Sequence, residues 1–185
     1  MPMKTLRSFS LLFSALFFLP AMAFAQTPPP TAVSLPMPGI EIFHPVTATV
    51  ASGSTPLPEA MPVLRKAGFT TLVSFRLDTE AGYDRPALEA AATAAGLRYV
   101  SIPFNREAPD PAAVQRFLEV MAAPETGPAY VFCHTGQRVA AMWAIKRVKQ
   151  DGWPLDRAMA EAESLGLTRP ELKKFATEFV TAGRR

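Results

Sequence analysis

Cys133 is the only cysteine among 185 residues, and it closes an apolar run that leads into a short loop: Ala129-Tyr130-Val131-Phe132-Cys133-His134-Thr135-Gly136-Gln137-Arg138, with a helix-like stretch from Val139 onward. A thiol placed there faces the start of the next helix, where unpartnered N–H groups and the positive end of the helix dipole favour an anion. Arg138 adds a planar fork suited to phosphate or sulfate. Surroundings of this kind pull a cysteine pKa from about 8.5 down to roughly 3.5–7.5. The chemistry they predict is attack by a thiolate that carries its own oxyanion cradle. The competing reading, a small buried hydrophobe, gives no reason for an arginine and a flexible Gly136 so close behind the thiol.

Other candidate residues carry weaker signals. His134 adjoins the nucleophile and would tune it, contact substrate or simply face solvent. Arg76, at the end of an apolar run, is either a second anion contact or the partner of Asp78 or Glu80 in a surface ion pair. Lys146, Arg147 and Lys149 read as the solvated face of a helix, and His44 reads as a surface residue. The two histidines are far apart and show no ligand spacing, so no metal site is expected. A lone cysteine also excludes an internal disulfide and an internal resolving thiol, which argues against a dithiol oxidoreductase.

The elements that must position these residues alternate between β-like and α-like. Val46–Ala51 reads as a strand, Pro58–Ala67 as a short helix stopped by Gly68, Phe69–Phe75 as a second strand, Arg85–Ala95 as a helix ending at Gly96, and Leu97–Phe104 as a third strand. Asp110-Pro111 is an N-cap followed by proline at the first helical position, ahead of Val114, Phe117, Leu118 and Met121 at helical spacing. Tyr130–Cys133 is apolar on both faces, as a central parallel strand covered by helices is. The helix from Gln137 begins almost wholly apolar, so its first turns are expected to be buried. Two more helices follow, Pro154–Leu165 and Pro170–Thr181, the last with a Thr168/Glu171 capping box. Trp153-Pro154-Leu155-Asp156 opens the first of them. The pattern predicts an α/β three-layer sandwich with a mostly parallel central sheet of about four strands and extra C-terminal helices. The loop carrying Cys133 leaves the carboxyl end of a strand, where open α/β sheets place ligands.

The amino-terminal residues read as an address rather than as part of the fold. Lys4 and Arg7 precede an apolar run from Phe9 to Leu19, and Ala23-Phe24-Ala25 offers a small-x-small cleavage site. Residues 1–25 are therefore expected to be a signal peptide, 26–45 a proline-rich extended linker and 46–185 one folded domain. The apolar run is shorter than the roughly 20 residues a membrane span needs, so an exported, periplasmic or secreted protein without stable membrane insertion is expected. The net charge of +3 falls to +1 once Lys4 and Arg7, which have no acidic neighbour in that segment, are removed. A nearly neutral chain argues against a nucleic-acid partner. Oligomeric state leaves no mark on the sequence.

The loop Cys133-His134-Thr135-Gly136-Gln137-Arg138 resembles the phosphate-binding loop of the cysteine-dependent protein-tyrosine and dual-specificity phosphatases. It is most similar to the bacterial beta-lactamase-hydrolase-like phosphatase family, whose loop reads Cys-x-x-Gly-x-Arg and runs into a helix containing Ala-x-x-Trp, here Ala140-Ala141-Met142-Trp143. Ala51-Ser52-Gly53, Ala67-Gly68-Phe69, Val73-Ser74-Phe75-Arg76 and Tyr99-Val100-Ser101-Ile102-Pro103-Phe104 resemble segments of that family in the same order. The resemblance implies a phosphatase-like domain that needs no cofactor. It implies hydrolysis of phosphate monoesters, on a small molecule or on phosphotyrosine or phosphoserine/threonine in a protein, through a phosphocysteine on Cys133. Arg138 and the N–H groups of His134, Thr135, Gly136 and Gln137 would hold the phosphate oxygens, with Arg76 as a further contact. The general acid would lie on the loop after the Ile-Pro-Phe strand, where Glu107 and Asp110 are available and Asp110 doubles as a helix cap.

Two features depart from the wider superfamily: four residues rather than five separate Cys133 from Arg138, and Val139 replaces the usual hydroxyl residue, a role open to Thr135. Rhodanese-type sulfurtransferases share the six-residue loop, so a Cys133 persulfide is the alternative reaction, although no rhodanese-like Gly-His-Ile segment precedes the strand. A phosphate-loop protein that binds an anion without turnover is a third reading.

Overall fold

The computed structural model describes residues 34–182; the expected signal segment and residues 26–33 of the expected linker lie outside them. Four strands, β2 (Val50–Gly53), β3 (Thr71–Ser74), β4 (Arg98–Ser101) and β5 (Ala129–Phe132), run parallel in the order β2-β5-β3-β4, as the βα alternation predicts. A further strand was not foreseen. Phe43–Pro45 forms β1 and pairs antiparallel with β2 at the edge of the sheet, so part of the expected linker belongs to the fold. A tight turn closes the pair: the N–H groups of Val46 and Thr47 both donate to the carbonyl of Val50, at 2.8 and 3.0 Å. That turns the Val-Thr run back on itself, and the strand expected at Val46–Ala51 starts only at Val50.

Helices cover both faces. On one side lie α1 (Met61–Lys66), entered through a 3-10 turn, and α2 (Arg85–Ala94), whose Asp84 cap accepts from the N–H of Ala87 at 3.0 Å. On the other lie α3 (Pro111–Ala122), α4 (Gln137–Lys149), α5 (Leu155–Ser164) and α6 (Pro170–Ala182). Side chains of a strand alternate between faces. Leu72, Tyr130 and Phe132 join Leu64, Leu88 and Ala92 in the first core, while Val73, Ala129, Val131 and Cys133 join Val114, Phe117, Val139 and Met142 in the second. Alternation along β5 thus aims the Cys133 side chain at α4.

Helix α4 is buried all round from Arg138 to Ile145, because α5 and α6 pack on the side away from the sheet. The basic turn that follows is not a solvated face. Arg147 forks onto Glu161 with both distances 2.7 Å, sits over the rings of Trp143 and Trp153, and is only 12% exposed. Trp143 Nε1 donates to the same Glu161 at 3.0 Å. A buried carboxylate so surrounded has its charge and its lone pairs met. Lys146 pairs with Asp151 at 2.8 Å, and Lys149 alone of the three stays exposed. Among the described residues no helix is long and apolar enough to cross a membrane.

Candidate active site

The loops that follow four parallel strands meet around Cys133: Ser54-Thr55 after β2, Arg76–Glu80 after β3, Asn105–Glu107 after β4 and Cys133–Gly136 after β5. The central place of β5, between β2 and β3, brings them together. Main-chain bonds fix the thiol's position. Cys133 N–H donates to Gly53 O at 3.3 Å, and the Thr55 hydroxyl donates to Cys133 O at 3.0 Å. Gly53 must be glycine: a Cβ there would lie 1.8 Å from Ile42 O and 2.6 Å from the Tyr130 hydroxyl. Beyond the thiol the chain reverses at Gly136, whose φ of 83° lies in the left-handed region, and its carbonyl accepts the first bond of α4 from Ala140 at 2.9 Å. The N–H groups of the first turn have no partner inside the helix, and a small cavity of about 40 Å³ at this end of α4 is lined by Cys133, His134, Thr135, Gln137 and Arg138.

Arg138 is buried and held from three sides. Its Nη1 donates to the carbonyls of Phe75 (2.9 Å) and Phe104 (3.1 Å), at the ends of the β3 and β4 segments, and to Glu80 Oε1 at 2.6 Å; Nη2 donates to Glu80 Oε2 at 2.9 Å. Burial alone would lower its pKa. The fork with Glu80, together with the charges of Cys133 and Glu80 and a hydrogen bond to the thiol, reverses the balance and raises it. Burial likewise works to raise the Glu80 pKa, but the bonds from Arg138 and from the Leu77 N–H and the charges of Arg138 and Arg76 bring it down from 4.5 to about 2.

Arg76 is a member of this network rather than an open contact. It is 2% exposed, with Nη1 on the Thr55 hydroxyl (2.7 Å), Nη2 on Ala81 O (3.3 Å), Nε 2.7 Å from Glu80 Oε2 and the guanidinium 4.7 Å from the Tyr83 ring centre. Of the two carboxylates weighed as its partner, Glu80 is the one it meets; Asp78 pairs with Arg85 at 2.8 Å. One carboxylate thus bridges two buried guanidiniums, and one threonine links Arg76 to the carbonyl of the cysteine. Neither Glu80 nor Thr55 stood out in the sequence as a site residue. The Arg76/Glu80 spacing was the available signal for the first; Thr55 gave none.

The remaining candidates separate. His134 and Thr135 are exposed at the mouth of the cavity. The side-chain carbonyl of Gln137 is spent on the turn before α6: Oε1 accepts from Thr168 N–H (3.1 Å), the Thr168 hydroxyl (3.2 Å) and Arg169 N–H (3.1 Å). Gln137 also takes the place expected for Glu171 in a capping box, since the Thr168 N–H goes to it. Glu107 lines a cleft of about 360 Å³ with Arg76, Asn105, His134 and Arg138. Asp110 does not; its Oδ1 accepts from Ala112 N–H at 2.8 Å as the cap of α3.

Residues 43–150 match the family described as "Beta-lactamase hydrolase-like protein, phosphatase-like domain". The chain belongs to that family. Solved structures place the phosphatase-like domain in a wider fold group. A DUF442 phosphatase-type protein from Shewanella putrefaciens is 23% identical with a TM-score of 0.67, over 78% of this chain and 92% of that one. P. aeruginosa TpbA is 23% identical with a TM-score of 0.63, over 83% and 91%. A Cys-to-Ser form of TpbA was crystallised with phosphotyrosine. The core catalytic domain of the S. cerevisiae PP-IP phosphatase SIW14 is 16% identical with a TM-score of 0.62, over 73% and 83%. At these identities the likeness shows a shared fold with protein-tyrosine-phosphatase-like enzymes. No curated protein matches the chain in sequence.

Proposed function

We propose that this protein is an exported cysteine-dependent phosphatase that hydrolyses phosphate monoesters through a phosphocysteine on Cys133. The observation that carries the reading is the pairing of that thiol, at the carboxyl end of the central strand, with a buried arginine held by its own carboxylate. The Cys133 thiolate attacks phosphorus, forming the S–P bond as the bond to the leaving oxygen breaks. Arg138 and the loop N–H groups hold the equatorial oxygens, and Glu107 gives its proton to the leaving oxygen. Water, giving a proton back to Glu107, then attacks phosphorus, the S–P bond breaks, and inorganic phosphate departs from the restored thiolate. Thr135, which lines the same small cavity as Cys133, supplies the hydroxyl that Val139 lacks. Phosphotyrosine on a protein fits as substrate class, supported by its complex with TpbA. Export rests on the sequence of residues 1–25.

Mass spectrometry of Cys133 after brief exposure to an aryl phosphate, and separately to thiosulfate, tests the reading. A phosphoryl gain from the first and none from the second is expected; a sulfur gain from thiosulfate, or hydrolysis with no adduct on Cys133, would overturn it. Glu107→Gln should slow hydrolysis of an alkyl phosphate by about 100-fold, but that of a nitrophenyl phosphate far less, because a good leaving group departs without a proton. Equal losses on both substrates would remove Glu107 from the role.

A further inference from the structure

The four arginines around the cradle are of two kinds. Arg76 and Arg138 are buried and anchored by protein partners at 2.6 to 3.3 Å, Arg138 with a donor still turned to the thiol. Arg106, from the loop after β4, and Arg169, from the turn before α6, line the same small cavity as Cys133. Arg106 meets Glu107 at 3.7 Å and its charge also reaches Glu171, Arg169 meets Glu171 at 3.4 Å, and the two arginine side chains are 41% and 42% exposed. Pairs this long and this exposed contribute little to stability, so both guanidiniums keep donors for an incoming anion. Arg169 is nevertheless not on a loose segment. Its N–H and that of Thr168 are bound by Gln137, the first residue of the helix that carries the cradle.

A cavity of about 40 Å³ admits only the reacting group of a substrate, and the charge of that group is already met by Arg138 and the loop N–H groups. Two further guanidiniums at the rim exceed what one phosphate monoester requires. We infer that Arg106 and Arg169 form a second anion subsite, and that the preferred substrate carries another phosphoryl group close to the one removed. This inference rests on the phosphatase reading for the reaction but not for the binding.

Inorganic pyrophosphate and inorganic phosphate, compared as competitive inhibitors of aryl phosphate hydrolysis, provide the test. The parent protein should bind pyrophosphate at least about tenfold more tightly than phosphate. Arg106→Gln and Arg169→Gln should each cut that ratio by roughly three- to fivefold, and Arg169→Lys should restore most of it. No preference in the parent, or a preference that survives the double Gln variant, would overturn the subsite. If aryl phosphate is not hydrolysed at all, the catalytic reading fails by itself. Calorimetric titration of the same two anions into parent and double variant then decides the subsite by the same ratios.

Discussion

The Cys133→Ser protein should hydrolyse an aryl phosphate at least about 10⁴-fold more slowly than the parent, because a serine hydroxyl is a far weaker nucleophile than a cysteine sulfur. It should also melt within about 3 °C of the parent. The thiol is 1% exposed and serine nearly isosteric, and the bonds that fix the loop run through the main chain, from Cys133 N–H to Gly53 and from Thr55 to Cys133 O. Steady-state kinetics and thermal unfolding on the same preparation check both halves. Residual turnover within tenfold of the parent would mean that water attacks the ester directly and that Cys133 only lines the site.

Glu80→Gln should damage both stability and turnover. Arg76 and Arg138 are 2% and 6% exposed, and removing the carboxylate between them leaves two buried cations facing each other. Breaking a buried pair in this way costs about 3 kcal/mol or more, and an unanchored Arg138 should lower kcat/KM by roughly 100-fold. The pH dependence carries its own signature. The Glu80 pKa in the folded protein, about 2, lies below its ordinary value of 4.5, so the carboxylate contributes its full stability above about pH 4.5 and loses it progressively as the pH falls toward 2. Urea unfolding at a series of pH values should show that acid-side loss in the parent and a shallower one in Glu80→Gln. An equal slope in both proteins would show that the bridge does not control acid stability.

How much of this was legible in the sequence depends on whether the cause was local. Asp110-Pro111 announced α3, and the unbroken apolar run of Tyr130–Cys133 announced a covered strand, because capping and two-sided burial leave signatures within a few residues. The edge strand at Phe43–Pro45 left none: three residues, one of them proline, become a strand only through the partner at Ala51–Gly53. Arg147 reads as a surface residue until Glu161 and Trp153, brought in by α5, close over it. Within the site, Cys133 and Arg138 are marked by their spacing on one loop. Glu80 and Arg169 reach the cradle from other strands' loops and other helices, and only the packing of those elements puts them there.

Gln137 and Arg147 both tie α4 to helices that lie downstream of residue 150, where the family match ends. A chain stopped there would leave Val139, Met142, Trp143 and Ile145 without their cover and the first turn of the catalytic helix without its outer brace. The hereditary signature of the family is therefore shorter than the folding unit that makes it work, and divergence among relatives in α5 and α6 would act on the mouth of the cradle rather than on its floor.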